Sequence, residues 1–242
     1  MKRRGDRAEP LDAGMTLAEM IVSIGLFVLV GALVTATTVF TLRSVEMSQV
    51  RVDQSSQGEL AVAAASKVLR TAVLPEQLEA QTCSDCEETA ITAATGTRVK
   101  FYANLNNTGG GPSLVTLRVE QDPRNPKVSR LMQDTQAPIA LSDGSYTFCN
   151  PSTSGCVVQS RIIGRSLLFP VTDVFTYYDY DGASLGSGTL TGDNLRKISS
   201  VDVVVTVRTR PGEAKHPSRT ALTRVRLPNV EINVVNQSVS PT

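Results

Sequence analysis

The 242-residue chain has no Trp, one His and only 5% aromatic residues. A single imidazole argues against a histidine-based catalytic or metal site. Neither sign of charge is in excess, because 24 basic residues stand against 23 acidic ones. Bulk charge therefore points to neither nucleic acid nor an acidic substrate. No Ser/His/acid constellation and no carboxylate pair can be assembled from the pattern, so no enzyme activity and no cofactor are expected.

Two local absences are more informative. From Met20 to Leu42 there is no charged residue. As an α-helix this stretch would be about 35 Å long, enough to span a bilayer. From Arg43 to Leu74 there is no proline, and Pro75 ends the run. One helix of roughly 60 residues, about 90 Å, is thus expected to pass through both stretches and stop at Pro75. In its second part Ala61, Ala64, Ala65, Val68, Leu69 and Ala72 fall on one apolar stripe, with Glu59, Lys67 and Arg70 opposite. The first part would sit in a membrane or a filament core, and the second would pack against a folded head.

Residues 1–14 are polar, with Lys2, Arg3, Arg4 and Arg7 against Asp6, Glu9 and Asp12. A basic leader before an apolar span is expected to stay cytoplasmic, with everything after Arg43 outside. A secretory signal peptide would need a shorter apolar core and a small-residue cleavage site such as Thr35-Ala36-Thr37. Glu19, at the mouth of the apolar run, does not fit that alternative. A carboxylate there is costly unless compensated, and so marks a function by default. A plainer account also exists. Thr16-Leu17-Ala18-Glu19 has the capping-box pattern, in which each side chain satisfies a free backbone N–H. The two accounts are compatible.

Gly14-Met15-Thr16-Leu17-Ala18-Glu19-Met20 resembles the class III signal of type IV prepilins and pseudopilins. In that family a Gly precedes the cut, a hydrophobic residue follows it and a Glu is fifth in the mature chain. Gly14, Met15 and Glu19 match position by position. Met15 stands where Phe is usual, and the leader is longer than the commonest ones. The resemblance implies cleavage between Gly14 and Met15 by prepilin peptidase and methylation of the new Met15 amine. It also implies an inner-membrane assembly platform and other pilins or pseudopilins as partners. A new amine and the Glu19 carboxylate would both lie in a water-poor setting. Pairing Glu19 of one subunit with the Met15 amine of its neighbour would remove two unpaired charges and fix axial register.

The implied layout is α+β: leader 1–14, transmembrane helix 15–42, amphipathic continuation 43–75, β-rich exported head 76–235 and tail 236–242. In the head, Leu114–Glu120, Val201–Val207 and Ala221–Leu227 alternate like strands, Val99–Tyr102 reads as a short strand and Val128–Met132 as a returning one, with a turn at 122–126 and an exposed loop at 211–217. Phe101–Leu105, Phe175–Gly182 and Ile198–Val205 resemble minor pilins of the W type and J-type pseudopilins of type II secretion. The family reading places the protein in the cytoplasmic membrane, single-pass, and then in a surface or periplasmic filament.

Three further groups of residues are candidates. Cys83, Cys86, Cys149 and Cys156 form two close pairs. In an exported head, structural disulfides are the leading reading, with three connectivities open and zinc as the rival. Asp179, Asp181 and Asp193 could collect calcium, but Asp-Gly is ordinary turn chemistry and no EF-hand spacing is present. Arg208, Arg210, Arg224 and Arg226, with Lys215 and Arg219 against Glu213, make a basic stripe. It suggests an anionic ligand such as DNA, as in a DNA-uptake or adhesion pilin. No aromatic residue interleaves it, so a solvated face that keeps strands soluble is the competing account.

Overall fold

A computed structural model describes residues 15–78, 83, 86–105, 111–171, 173–212 and 217–230. One continuous helix, α1, runs from Leu17 to Leu69. Its 53 residues correspond to about 80 Å. Every residue from Met15 to Gln49 is exposed, and the most apolar 18-residue window has a mean hydropathy of 2.5. That makes α1 long and apolar enough to cross a membrane. Four threonine hydroxyls in this part turn inward onto the backbone. The hydroxyls of Thr35, Thr38 and Thr41 each donate to a carbonyl one turn back, at 2.8 Å. Thr37 does the same at 2.9–3.0 Å. Such bonds satisfy hydroxyls that an apolar surrounding would otherwise leave stranded.

From Val50 onwards the helix has a buried face: Val50, Gln54, Gly58, Ala61, Val62, Ala65, Ser66, Val68 and Leu69. Glu59, Lys67 and Arg70 are exposed, as the stripe requires. The helix ends at Leu69, before the proline expected to stop it. Local backbone pairing ends it first. The amide of Ala72 donates to the Leu69 carbonyl, the amide of Val73 to Tyr102 and that of Asn104 to Thr71. A bridge to the sheet thus captures residues 71–73, and Pro75 opens a short 3-10 turn, Pro75–Gln77.

The head contains β1 (Ile91–Thr95), β2 (Arg98–Ala103), β3 (Ser113–Asp122), β4 (Asn125–Gln136), β5 (Ile139–Ala140), β6 (Tyr146–Thr147), β7 (Gln159–Leu168), β8 (Phe175–Tyr178), β9 (Ser184–Gly186), β10 (Ser200–Val207) and β11 (Arg219–Arg226). Strands β5 and β6 pair with each other. The rest form one antiparallel sheet in the order β1-β2-β3-β4-β7-β10-β8-β9, with β11 also on β10. The sheet curls until its ends touch. Leu190 donates to Ala94 at 3.0 Å, Val174 and Phe175 donate to Gly96, and the Tyr177 hydroxyl reaches Thr95 at 2.8 Å.

Residues 50–69 of α1 lie in the hollow of this curl. The core joins Ala61, Ala65, Val68 and Leu69 to Phe101, Val115, Leu117, Leu131, Phe175, Tyr177 and the β10 valines. Helix and sheet come closest at two glycines. A Cβ on Gly164 would stand 2.8 Å from the Ala61 Cβ, and one on Gly58 would stand 3.2 Å from the Ala221 Cβ. The small residues of the helix stripe are thus what lets it approach the sheet.

The fold is the expected α+β arrangement, with the five strands read from the sequence in place. Strand β7 was not readable: Arg161-Ile162-Ile163-Gly164-Arg165 has no period of two, and its pairing with β4 is interrupted twice between Ser129 and Met132. The expected tail and most of the 211–217 loop lie outside the described residues.

Candidate functional site

The segment that starts α1 carries the strongest sequence signal. Gly14 and the leader lie outside the described residues. Met15 is exposed, and Thr16 precedes the first helical residue. The Glu19 amide donates to the Thr16 hydroxyl oxygen at 3.3 Å. In return a Glu19 carboxylate oxygen accepts from the Thr16 amide at 3.0 Å and from its hydroxyl at 3.1 Å. This is the reciprocal capping box, and it settles free amides of the first turn. The carboxylate sits at the positive end of the helix, where a negative charge is stabilised. One carboxylate thus closes the helix start and is held on the exposed apolar segment, where a cation on another molecule could reach it.

The four cysteines pair locally. Cys83–Cys86 and Cys149–Cys156 have Cα separations of 5.4 and 5.5 Å, within the ordinary disulfide range. No cysteine is free. Local pairing selects one of the three connectivities and leaves no thiolates for the rival zinc reading. The second bridge follows Tyr146 and Phe148, which cluster with Tyr102 at ring separations of 5.8–5.9 Å. Burial pushes the Tyr102 hydroxyl above its usual range.

The basic stripe divides. Arg224 and Arg226 are on β11, while Arg208 and Arg210 follow the end of β10. Arg224 is committed within the head. Its guanidinium gives two bonds to the carboxylate of Asp202, at 2.7 and 2.9 Å, and lies 3.9 Å from the centre of the Tyr178 ring. The Arg224 bonds hold the Asp202 carboxyl below the usual range, although burial pushes it the other way. The register explains the pair: Asp202 and Arg224 are directly opposed on β10 and β11. Lys215 and Glu213 lie outside the described residues.

The 179–182 segment forms a turn. The Asp179 carboxylate accepts from the Ala183 amide at 2.7 Å, and Gly182 has a φ of 81°, suited to glycine. Among the described residues no group of three or more acidic, Cys or His side chains is placed to hold a metal ion. Asp179, Asp181 and Asp193 are not brought together as a ligand set.

Sequence reasoning missed an ion-pair network on β3 and β4. Arg118 contacts both Asp134 and Glu120, and Arg130 contacts Glu120. Burial raises the Glu120 carboxyl, and the two arginines together outweigh it, leaving a net lowering. The signal was the hairpin register: with the turn at 122–126 in place, Glu120 faces Arg130. Sequence reasoning also missed an open groove beside β11.

No protein-family model matches the chain, and no curated protein matches it. The architecture nevertheless agrees with the general type IV pilin and pseudopilin plan: one long apolar N-terminal helix and a curved antiparallel sheet packed on that helix's second part.

Proposed function

We propose that the chain is a pilin-like structural subunit, a minor pilin or pseudopilin of a type IV pilus-like or type II secretion filament. Prepilin peptidase would cut it between Gly14 and Met15, and the new Met15 amine would be methylated. The observation that carries this reading is the division of α1. One unbroken helix is exposed up to Gln49, with a charge-free apolar run over residues 20–42, and is buried on one face within the head from Val50. A helix surface of that kind needs an apolar surrounding, first lipid and then the helices of neighbouring subunits. Membrane lipid, the assembly platform and other pilins are the partners this implies. The disulfide-bonded head suits an exported compartment, which supports this reading, in which the basic leader would face the cytoplasm.

In this reading Glu19 has a second role. Its capping bonds hold the carboxylate at the helix start, where the Met15 amine of an adjacent subunit would complete a charge pair. Substitution Glu19→Gln separates the roles. Gln also serves a capping box, so a capping role alone predicts little effect. If the charge pair matters, Gln leaves an amine uncompensated, which typically costs roughly 3–5 kcal/mol when buried. The variant should insert, be cleaved and fold, yet fail to crosslink to partner subunits or join a filament. Normal incorporation would refute the pair. Mass spectrometry of protein from its native host should show N-methyl-Met15 as the first residue. A mature end near Ala36, or an uncleaved chain in peptidase-competent cells, would sink the reading.

A further inference from the structure

Strand β11 has no strand on its outer edge among the described residues. Its backbone groups can be sorted by direction. The Leu227 amide donates inward, to the Ser199 carbonyl, at 2.9 Å. In an antiparallel ladder the direction alternates, so Val225, Thr223 and Ala221 also point to β10. Thr220, Leu222 and Arg224 therefore present their N–H and C=O groups outward. An exposed, fully formed edge of this length is a template for another strand.

Beside that edge runs a groove of about 770 Å³. Helix α1 lines one wall, from Gln54 to Arg70, and Arg219–Thr223 line the other. The helix wall is shallow because it is built of Ser55, Gly58, Ala63 and Ser66. The Ser66 hydroxyl is turned back onto the Val62 carbonyl at 2.7 Å, so it adds no polar demand to the floor. The rim is charged and unbalanced. Lys67, Arg70 and Arg219 line the groove against Glu59 alone, all are exposed, and none of the three cations has an ion-pair partner among the described residues.

We propose that this groove is a docking site for an extended, acidic polypeptide segment of another protein, which adds to β11 as a further strand. Its backbone would bond to the outward groups of Thr220, Leu222 and Arg224. Alternate side chains would enter the groove over Ser55 and Ala63, and its carboxylates would meet Lys67, Arg70 and Arg219. This is β-strand addition, in which the main chain supplies affinity and the side-chain setting supplies selectivity. The inference rests on the head alone and stands whether or not the chain enters a filament.

The test uses the full chain in detergent micelles and a fluorescein-labelled octapeptide of alternating Glu and Val, followed by anisotropy. Saturable binding is expected, with an alternating Lys/Val peptide at least roughly tenfold weaker. Leu222→Pro removes an outward N–H and leaves the β10 ladder intact, because proline is tolerated where the amide faces away. It should weaken binding by roughly tenfold, about the loss of one well-made contact. In case that variant fails to fold, the same peptide N-methylated at alternate amides should not bind the unaltered chain. Lys67→Glu with Arg219→Glu should reverse the preference between the two peptides. Equal binding of acidic and basic peptides would overturn the proposal, as would indifference to N-methylation. Binding seen only after the chain is shortened to end at Val230 would also overturn it, assigning the groove to the chain's own terminal residues.

Discussion

The two parts of α1 obey opposite rules within one continuous helix. Over residues 17–49 apolar side chains are exposed all round: Leu26, Phe27, Leu29 and Leu33 are each more than half accessible. Over residues 50–69 the apolar residues keep to one face and are sealed, with Ala61, Ala65 and Leu69 fully buried. The second part is an ordinary amphipathic helix whose partner is present. Within the first part the charge-free run from Met20 to Leu42 has no charged face to show to water, so its partner must itself be apolar. The difference also explains residue size. Where the helix meets the sheet, Gly58, Ala61 and Ala65 are small because backbone approaches backbone. Where it is exposed, Leu, Val, Phe and Ile dominate because only transfer from water matters.

Paired substitutions test that comparison. The largest effect on the head should come from Leu69→Ala. Leu69 is fully buried in the core beneath the sheet, and such truncations cost about 2–5 kcal/mol. Leu29→Ala removes the same atoms from the exposed part and should leave head stability unchanged, while weakening retention in the membrane. Denaturant unfolding of the full chain in micelles, read by tyrosine fluorescence, distinguishes the two. Equal destabilisation by both would show that residues 17–49 are part of the head's core after all.

A smaller effect is expected from glycine. Gly164→Ala puts a methyl group 2.8 Å from the Ala61 Cβ and 3.2 Å from the Leu131 Cβ, neither of which can swing aside. Overpacking of this kind costs about 1–3 kcal/mol. Gly31 has nothing within 4 Å of the corresponding position, so Gly31→Ala should not lower head stability. Unfolding midpoints of the two variants measure the contrast directly. A neutral Gly164→Ala would mean that the helix can back away from the sheet at no cost, contrary to the close fit at Ala61.

How much of this was legible in the sequence follows from range. The helix and its two characters were legible because they are local: a charge-free run, then an apolar stripe of period 3.6. Strands β3, β10 and β11 were legible through alternation, β2 as a short apolar-rich run, β4 as the return of β3 after the 122–126 turn, and the Thr16–Glu19 box through spacing of three. The end of α1 was not, because Val73 leaves the helix to bond Tyr102, a partner 29 positions away. Nor was β7, whose side-chain pattern is set by Gly164 making room for Ala61. The cysteine pairing was left among three possibilities, since spacing alone does not choose among them. The basic stripe was seen as a row of charges. That Arg224 is held by Asp202 was not legible, because it requires the hairpin register.

The smallest effect expected concerns that ion pair, which is on the side of β10–β11 away from the helix. Asp202 is largely buried, while Arg224 is about half exposed, so solvent weakens the attraction on one side. The bonds from Arg224 lower the Asp202 carboxyl, burial opposes them, and Tyr178 adds to the lowering. A carboxyl lowered in the folded state adds stability above its unfolded value, about 3.9 for Asp. That contribution is lost as the pH falls through the lower folded value. The stability difference between the unaltered chain and Asp202→Asn should therefore hold steady from pH 7 down to about 5 and shrink below about 4. Arg224→Lys should show a reduced version of the same profile. Lysine keeps the charge but gives up the two-pronged bond and the flat contact with Tyr178. Chemical unfolding of the three proteins across this pH range supplies the measurement. A difference that stayed constant down to pH 2, or grew on acidification, would show that Asp202 acts through its shape and hydrogen bonds rather than its charge.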